Sequence, residues 1–202
     1  MHNAIRSITN ATKYLLAPSK GRIPVKVLLP YNKWLKNPMI SDFGRWQFDI
    51  GMRYGDEKSW WKNSVPRKEP HNGIDLYRYT STNGCDRSIT AGTPIAAFYG
   101  GEIAKIAKDK ICYSVFVRHT IFTRGLQFYT IFGHIKVSEG LKEKDLIKAG
   151  TVLGEVANVP QGSHAFPHLH LSMAWIPKNM SPSLINWKYL DKRLFIDPIF
   201  WK

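Results

Sequence analysis

Two segments far apart in the chain carry side chains that bind metals: His71-Asn72-Gly73-Ile74-Asp75 and His168-Leu169-His170. Imidazole nitrogen and carboxylate oxygen are zinc donors, and a catalytic zinc takes three protein ligands while leaving the fourth tetrahedral position to water. With four candidate donors in His71, Asp75, His168 and His170, the pattern points to a metallohydrolase. In His168-Leu169-His170 the imidazoles stand at i and i+2. On a strand both therefore project to one side, while Leu169 enters the opposite layer. One ring can then bind a metal while its neighbour overhangs the water. His71 and Asp75 are four apart, which puts them on one side of either a strand or a helix. His134 follows the aromatic-rich run Phe128-Tyr129-Thr130-Ile131 and adds a further imidazole. Imidazoles beside an activated water serve as general base and as donor to a developing oxyanion. His119 and His164 read as packed or surface histidines, and His2 has no assigned part.

The segments around these residues have the patterning of strands. Apolar alternation bounded by turn residues predicts strands over 25–29, 46–52, 74–80, 94–106, 112–122, 126–135, 152–156 and 168–175. Gly92, Gly100, Gly101, Gly125, Gly140, Gly150 and Gly154 punctuate them. Alternation is clearest where Tyr113, Val115, Val117, His119 and Ile121 share one face. Trp60 to Pro70 reads as a long loop that delivers the chain to His71. Near the N-terminus Ile5, Ile8, Leu15 and Leu16 stand at roughly helical spacing until Pro18-Ser19-Lys20-Gly21 breaks it, so a short helix or an extended arm fits there.

Composition bounds the rest. A chain of 202 residues holds one well-cored domain with an extension, or at most two small ones. At 44% hydrophobic and 13% aromatic residues it is a packed globule rather than a disordered chain. No apolar run reaches the ~20 residues of a membrane span. The first thirty residues carry no secretory apolar core, so a mature or trimmed form, or another export route, is expected. The formal net charge is +14, and residues 1–41 hold seven Lys and Arg with no Asp or Glu. Such an arm concentrates on polyanions, whether nucleic acid, anionic lipid or cell-wall polymers, or simply solubilises the chain. Cys85 and Cys112 lack C-x-x-C spacing and are expected either to pair in an oxidising compartment or to stay as buried thiols.

Taken in order, the motifs resemble those of the lysostaphin-type zinc endopeptidases, a murein-hydrolysing family. Its pattern of H-x-G-x-D, G-T-P-V-x-A, an aromatic strand ending in H-[LI], a glycine pair and H-L-H stands here in five segments. They are His71-Asn72-Gly73-Ile74-Asp75, Ala91-Gly92-Thr93-Pro94-Ile95-Ala96-Ala97, Tyr129-Thr130-Ile131-Phe132-Gly133-His134-Ile135, Ile147-Lys148-Ala149-Gly150-Thr151-Val152-Leu153-Gly154 and Pro167-His168-Leu169-His170-Leu171. Ile50-Gly51-Met52-Arg53 resembles the family's G-x-R turn, and Ile196-Asp197-Pro198 its D-P close. The resemblance implies an all-β fold, a compact antiparallel sheet or sandwich with a catalytic groove across one sheet and few short helices. It implies that His71, Asp75 and His170 ligate Zn2+, with His134 and His168 as catalytic histidines. It further implies an extracytoplasmic enzyme (periplasmic, cell-wall or secreted) acting on peptidoglycan peptides, with a basic arm over 1–44 that could meet anionic cell-wall polymers and a peptidase domain over 45–202. Where the family often has H-L-H-[FY]-E, this chain has Leu171 and Ser172 in the last two places. Two other classes compete. One is an inactive cell-wall-binding or regulatory module on the same fold. The other is a nucleic-acid binder, which leaves the order of the histidines unexplained.

Overall fold

The computed structural model describes residues 39–61 and 64–199, and in them alternation and turn chemistry produce an all-β architecture. The strands are β1 (Phe43–Gln47), β2 (Ile74–Leu76), β3 (Arg78–Ser81), β4 (Asp86–Ser88), β5 (Pro94–Ala96), β6 (Gly101–Lys108), β7 (Tyr113–Thr123), β8 (Leu126–Val137), β9 (Leu146–Ile147), β10 (Val152–Val156), β11 (Leu169–Pro177) and β12 (Phe195–Ile196). Among the described residues helix is confined to short 3-10 turns, such as Pro182–Leu184 and Lys192–Leu194. Every strand pairing is antiparallel. The main sheet runs β12-β11-β8-β7-β6-β9, with β10 joining β8 to β5, and β1-β3-β4 form a separate small sheet.

The two longest strands, β7 and β8, are joined by Arg124-Gly125, both in the left-handed region (φ 42° and 79°). Two consecutive positive φ values make the two-residue turn whose twist matches that of a hairpin, and Gly125 takes its share without steric cost. Strand β11 lies alongside β8 and is buried at all nine positions. Its other edge is shared by β2 at one end and β12 at the other. The core beneath contains fully buried Phe116, Phe128, Phe132, Ile103, Ile131 and Ile135. On β7 the predicted inward face holds, with Val115, Val117 and His119 buried, but Ser114 and Phe116 on the opposite face are buried as well.

Several predicted strands have different bounds. The stretch predicted over 46–52 ends at Gln47, since Asp49 to Met52 form a turn in which the Met52 N–H donates to the Asp49 carbonyl at 3.1 Å. The stretch over 74–80 divides at Tyr77, where the chain leaves β11 for the small sheet. The stretch over 94–106 divides before Gly101, because β5 pairs with β10 and β6 with β7. The short strands β4, β9 and β12 offer too few residues for periodicity to register. The predicted strand over 25–29, the N-terminal helix or arm and most of the basic segment lie outside the described residues. Cys85, exposed, and Cys112 are free thiols.

His119 is a packed histidine, at 3% exposure. Its Nδ1 lies 2.8 Å from the Gly100 carbonyl and its Nε2 2.8 Å from Thr130 Oγ1. The carbonyl requires an Nδ1–H, so the neutral ring satisfies both partners, with the threonine hydroxyl donating to Nε2. Burial lowers the pKa of His119, offset only in part by the Gly100 carbonyl. The unfolded chain therefore binds a proton near pH 6.5 that the native chain refuses. This contribution to stability is complete above about pH 6.5 and declines below it by up to about 1.4 kcal/mol per pH unit. Urea denaturation at about pH 7.5 and pH 5.5 should show a smaller loss of stability on acidification for His119→Gln than for the wild-type chain. Equal losses would contradict the assignment.

Candidate metal centre and active site

Three adjacent strands bring the first group of residues together. In the sheet register Asp75 on β2 sits directly beside His170 on β11, which sits directly beside Gly133 on β8. His71 precedes β2 and reaches the same point because Gly73 lets the chain run close against β11. A Cβ at Gly73 would lie 2.4 Å from the Leu171 carbonyl oxygen and 2.4 Å from Ser172 Oγ, distances that no side chain tolerates. Asp75 is thus on a strand and His71 in the loop before it, which settles the helix-or-strand alternative.

The donor atoms converge on one point. His71 Nε2 lies 3.0 Å from His170 Nδ1 and 3.1 Å from Asp75 Oδ1, and His170 Nδ1 lies 2.9 Å from Asp75 Oδ1. Hydrogen bonds on the far sides of the rings determine what these atoms carry. His71 Nδ1 is 3.0 Å from the Arg53 carbonyl, an acceptor only, so the proton is on Nδ1 and Nε2 presents a lone pair. Ser172 Oγ donates to the Asn72 carbonyl at 2.8 Å, so His170 Nε2, 2.9 Å away, must be the donor to Ser172, and His170 Nδ1 is left bare. Asp75 turns its other oxygen to Trp60 Nε1–H at 2.8 Å, with Arg67 Nη2 at 3.5 Å. Two nitrogen lone pairs and a carboxylate oxygen therefore face one another within about 3 Å, an arrangement that calls for a cation among them. Among the described residues these three form the group able to hold a metal ion.

The charge states agree. Burial, only partly opposed by the Asp75 carboxylate, lowers the pKa of His170 to about 4, so the ring is neutral at neutral pH, as a metal ligand must be. Burial alone would raise the pKa of Asp75. The neighbouring imidazoles, His71 first and then His168, outweigh it and hold the carboxyl well below the usual carboxylate range.

His168 is also buried, but it stands apart from this group. Its Nδ1–H donates to the Phe166 carbonyl at 2.7 Å, and Nε2 makes no hydrogen bond, lying 3.5 Å from Asp75 Oδ1. The ring of His134 is 5.0 Å from that of His168 and 5.7 Å from that of His170, centre to centre. His134 is more open to solvent, its side chain 18% exposed. Its backbone is unusual. Between the pairs Tyr113↔Ile135 and Val115↔Phe132, β8 has one residue more than β7, a bulge at Gly133-His134. His134 occupies it with φ 63°, left-handed for a residue with a Cβ, which costs about 1–3 kcal/mol. The Ala157 N–H donates to the His134 carbonyl at 2.9 Å, while the His134 N–H donates to Asp109 Oδ2 at 2.9 Å. His134 Nδ1 lies 3.1 Å from Asp109 Oδ1.

Beside His168 the loop that carries Trp60 meets the segment that leads into β11. Phe166, half exposed, stacks on Trp60 at 5.8 Å and on Tyr77 at 5.4 Å, and Trp60 stands edge-on to His168 at 5.3 Å. All five histidine and aspartate residues singled out in the sequence, His71, Asp75, His134, His168 and His170, thus lie together. His164 is exposed and His119 lies in the core. The sequence reading missed Asp109, Trp60 and the Arg53 carbonyl. Of the partners, Ser172 left a signal as a departure from the family pattern, and Arg53 as part of the segment resembling the G-x-R turn.

Comparison with known proteins follows this geometry. Among curated proteins none matches the chain. Solved structures similar to it include the catalytic domain of the antimicrobial peptidase lysostaphin from Staphylococcus simulans, at 17% identity and a TM-score of 0.44, covering 78% of this chain and 85% of that one. A putative peptidase M23 from Pseudomonas aeruginosa is 20% identical with a TM-score of 0.45, covering 96% of this chain and 58% of that one. A zinc containing peptidase from Vibrio cholerae is 16% identical with a TM-score of 0.45, covering 80% of this chain and 40% of that one. The family model for peptidase family M23 matches residues 80–182, just over half of the sequence, and includes His134, His168 and His170. The chain belongs to peptidase family M23.

Proposed function

We propose that this protein is a zinc-dependent endopeptidase that hydrolyses peptide bonds in bacterial peptidoglycan. The observation that carries the proposal is the facing set of His71 Nε2, Asp75 Oδ1 and His170 Nδ1, each pair 2.9–3.1 Å apart. Zinc–ligand bonds of about 2.0–2.1 Å in a tetrahedron imply donor separations of about 3.3–3.4 Å, so the set fits zinc after a small expansion. Two imidazoles with one carboxylate also suit zinc better than calcium or magnesium, which prefer oxygen throughout. When bound there, zinc lowers the pKa of a water to about 7 and polarises the scissile carbonyl.

The chain's own residues supply the rest. His168 points an unpaired Nε2 into the centre and is locked by the Phe166 carbonyl. His134, partly open to solvent, faces it from the neighbouring strand. We assign His134 as general base and His168 as oxyanion donor, flanking water and substrate carbonyl. The stacked Trp60 and Phe166 form one wall beside His168 and contribute to the choice of peptide. The peptidoglycan substrate and an extracytoplasmic location rest on family membership. The basic segment over 1–44 is proposed to meet anionic cell-wall polymers, with the peptidase domain over 45–202. An inactive module is disfavoured, because the three ligands and both histidines are all present.

Three outcomes are expected. His170→Ala should lose stoichiometric zinc, whereas His168→Ala should keep it and lose turnover by about 100-fold or more, as metal analysis beside kinetics will show. Ser172→Ala removes the acceptor that fixes the His170 tautomer and should weaken zinc binding about 10- to 100-fold in competition with a chelator. Mass spectrometry of fragments released from defined peptidoglycans should show peptide-bond cleavage that stops with a chelator and returns with zinc. Equal cleavage by metal-free protein would defeat the proposal.

A further inference from the structure

Asp109 is a carboxylate outside the metal group that accepts from several donors at once. It lies between β6 and β7 with its side chain 4% exposed. Oδ1 accepts from the backbone N–H of Ile111 at 2.8 Å and of Cys112 at 2.9 Å, and lies 3.1 Å from His134 Nδ1. Oδ2 accepts from the His134 backbone N–H at 2.9 Å and from the Ser114 hydroxyl at 2.6 Å. Ser114, fully buried, accepts in turn from Trp187 Nε1–H at 2.8 Å, and the Trp187 ring meets that of His170 edge-on at 5.6 Å.

From this arrangement we propose that Asp109 is the positioning residue of His134: it fixes the ring's tautomer and the left-handed bulge that aims the ring. The proposal rests on the reading of His134 as a catalytic histidine. The carboxylate is saturated with donors, so it can only accept, and His134 must carry its proton on Nδ1. The Nε2 lone pair is then free for the proton of the attacking water, and an imidazolium formed there keeps a negative partner at Nδ1. The same carboxylate captures the His134 backbone N–H, so ring and bulge are held by one group. Ser114 and Trp187 keep the carboxylate from turning away. The turn at residues 109–112 could have been capped by any short polar side chain. The second pair of bonds, to His134, goes beyond that structural duty.

Two substitutions separate the duties. Asn at 109 can cap the turn and accept from His134 Nδ1–H through its carbonyl oxygen, but it lacks the charge and turns a donor toward the His134 backbone. Ser at 109 offers a turn-capping oxygen that is too short to reach the ring. With the full-length, zinc-loaded protein, Asp109→Ser is expected to retain its metal and to lower kcat about 100-fold or more with KM little changed. Asp109→Asn should lie between it and the wild-type chain. The ring nitrogens of His134, followed by 15N NMR without substrate, should show the proton on Nδ1 in wild-type and Asn proteins and its movement toward Nε2 in the Ser protein. A folded Ser variant that keeps wild-type kcat or the Nδ1–H tautomer overturns the proposal. If the Ser variant does not fold, wild-type kcat in the Asn variant overturns it. If the wild-type protein cleaves no peptidoglycan, the proposed function fails, and the tautomer alone decides the role of Asp109.

Discussion

Everything in this molecule depends on holding two imidazole lone pairs and a carboxylate oxygen within about 3 Å of one another in a buried place. Left alone, such atoms repel, and buried polar groups without partners cost free energy. The sheet supplies the constraint that keeps them there. Antiparallel register sets Asp75, His170 and Gly133 in a row across β2, β11 and β8, so that none can withdraw without unpairing a strand. Gly73 then allows His71 to approach from the loop, and Arg53, Ser172 and Trp60 orient the donors from outside. The framework is built around an interaction that is unfavourable in itself and that a cation would relieve.

The neighbouring histidines meet a different difficulty. In a regular strand, successive side chains alternate faces, and the residue after Gly133 would be set by the pleat alone. The extra residue in β8 breaks that rule at His134 and re-aims its ring toward His168 and His170. A left-handed conformation is the consequence, and bonds to both its N–H and its carbonyl offset the cost. Rigidity here comes from the Asp109 loop on one side and from Ala157 on the other, which continues the β10–β8 register by one residue.

How much of this was legible follows from which forces act locally. Alternation in Val115, Val117 and His119 is local, and it located β7 and its inner face. Strand changes are not local. Nothing at Tyr77 says that the chain leaves one sheet for another there, since the reason lies in the partners, β11 on one side and β1 on the other. The five residues that the fold gathers, His71, Asp75, His134, His168 and His170, could be picked out because ligand chemistry restricts residue type and spacing. Asp109 could not, because a carboxylate before a turn looks like any turn cap until His134 is seen against it. Trp60 read only as part of a loop, since its hydrogen bond to Asp75 spans 15 residues of irregular chain.

The departure at Ser172 shows what the second layer of such a site controls. Related chains often carry a glutamate in this place. Here a hydroxyl, fully buried, accepts a hydrogen bond from the His170 Nε2–H and donates its own O–H to the Asn72 carbonyl. Both groups fix the tautomer, but only a carboxylate would also pull the proton toward itself and make the ring a stronger donor. Within the proposed centre, Asp75 is then the single negative charge against a divalent ion, with Arg67 close to its outer oxygen. A divalent ion held by these residues would have little of its charge neutralised by the protein. Such an ion would polarise a carbonyl more strongly and be held less tightly, an exchange set by one side chain that lies outside the three donors.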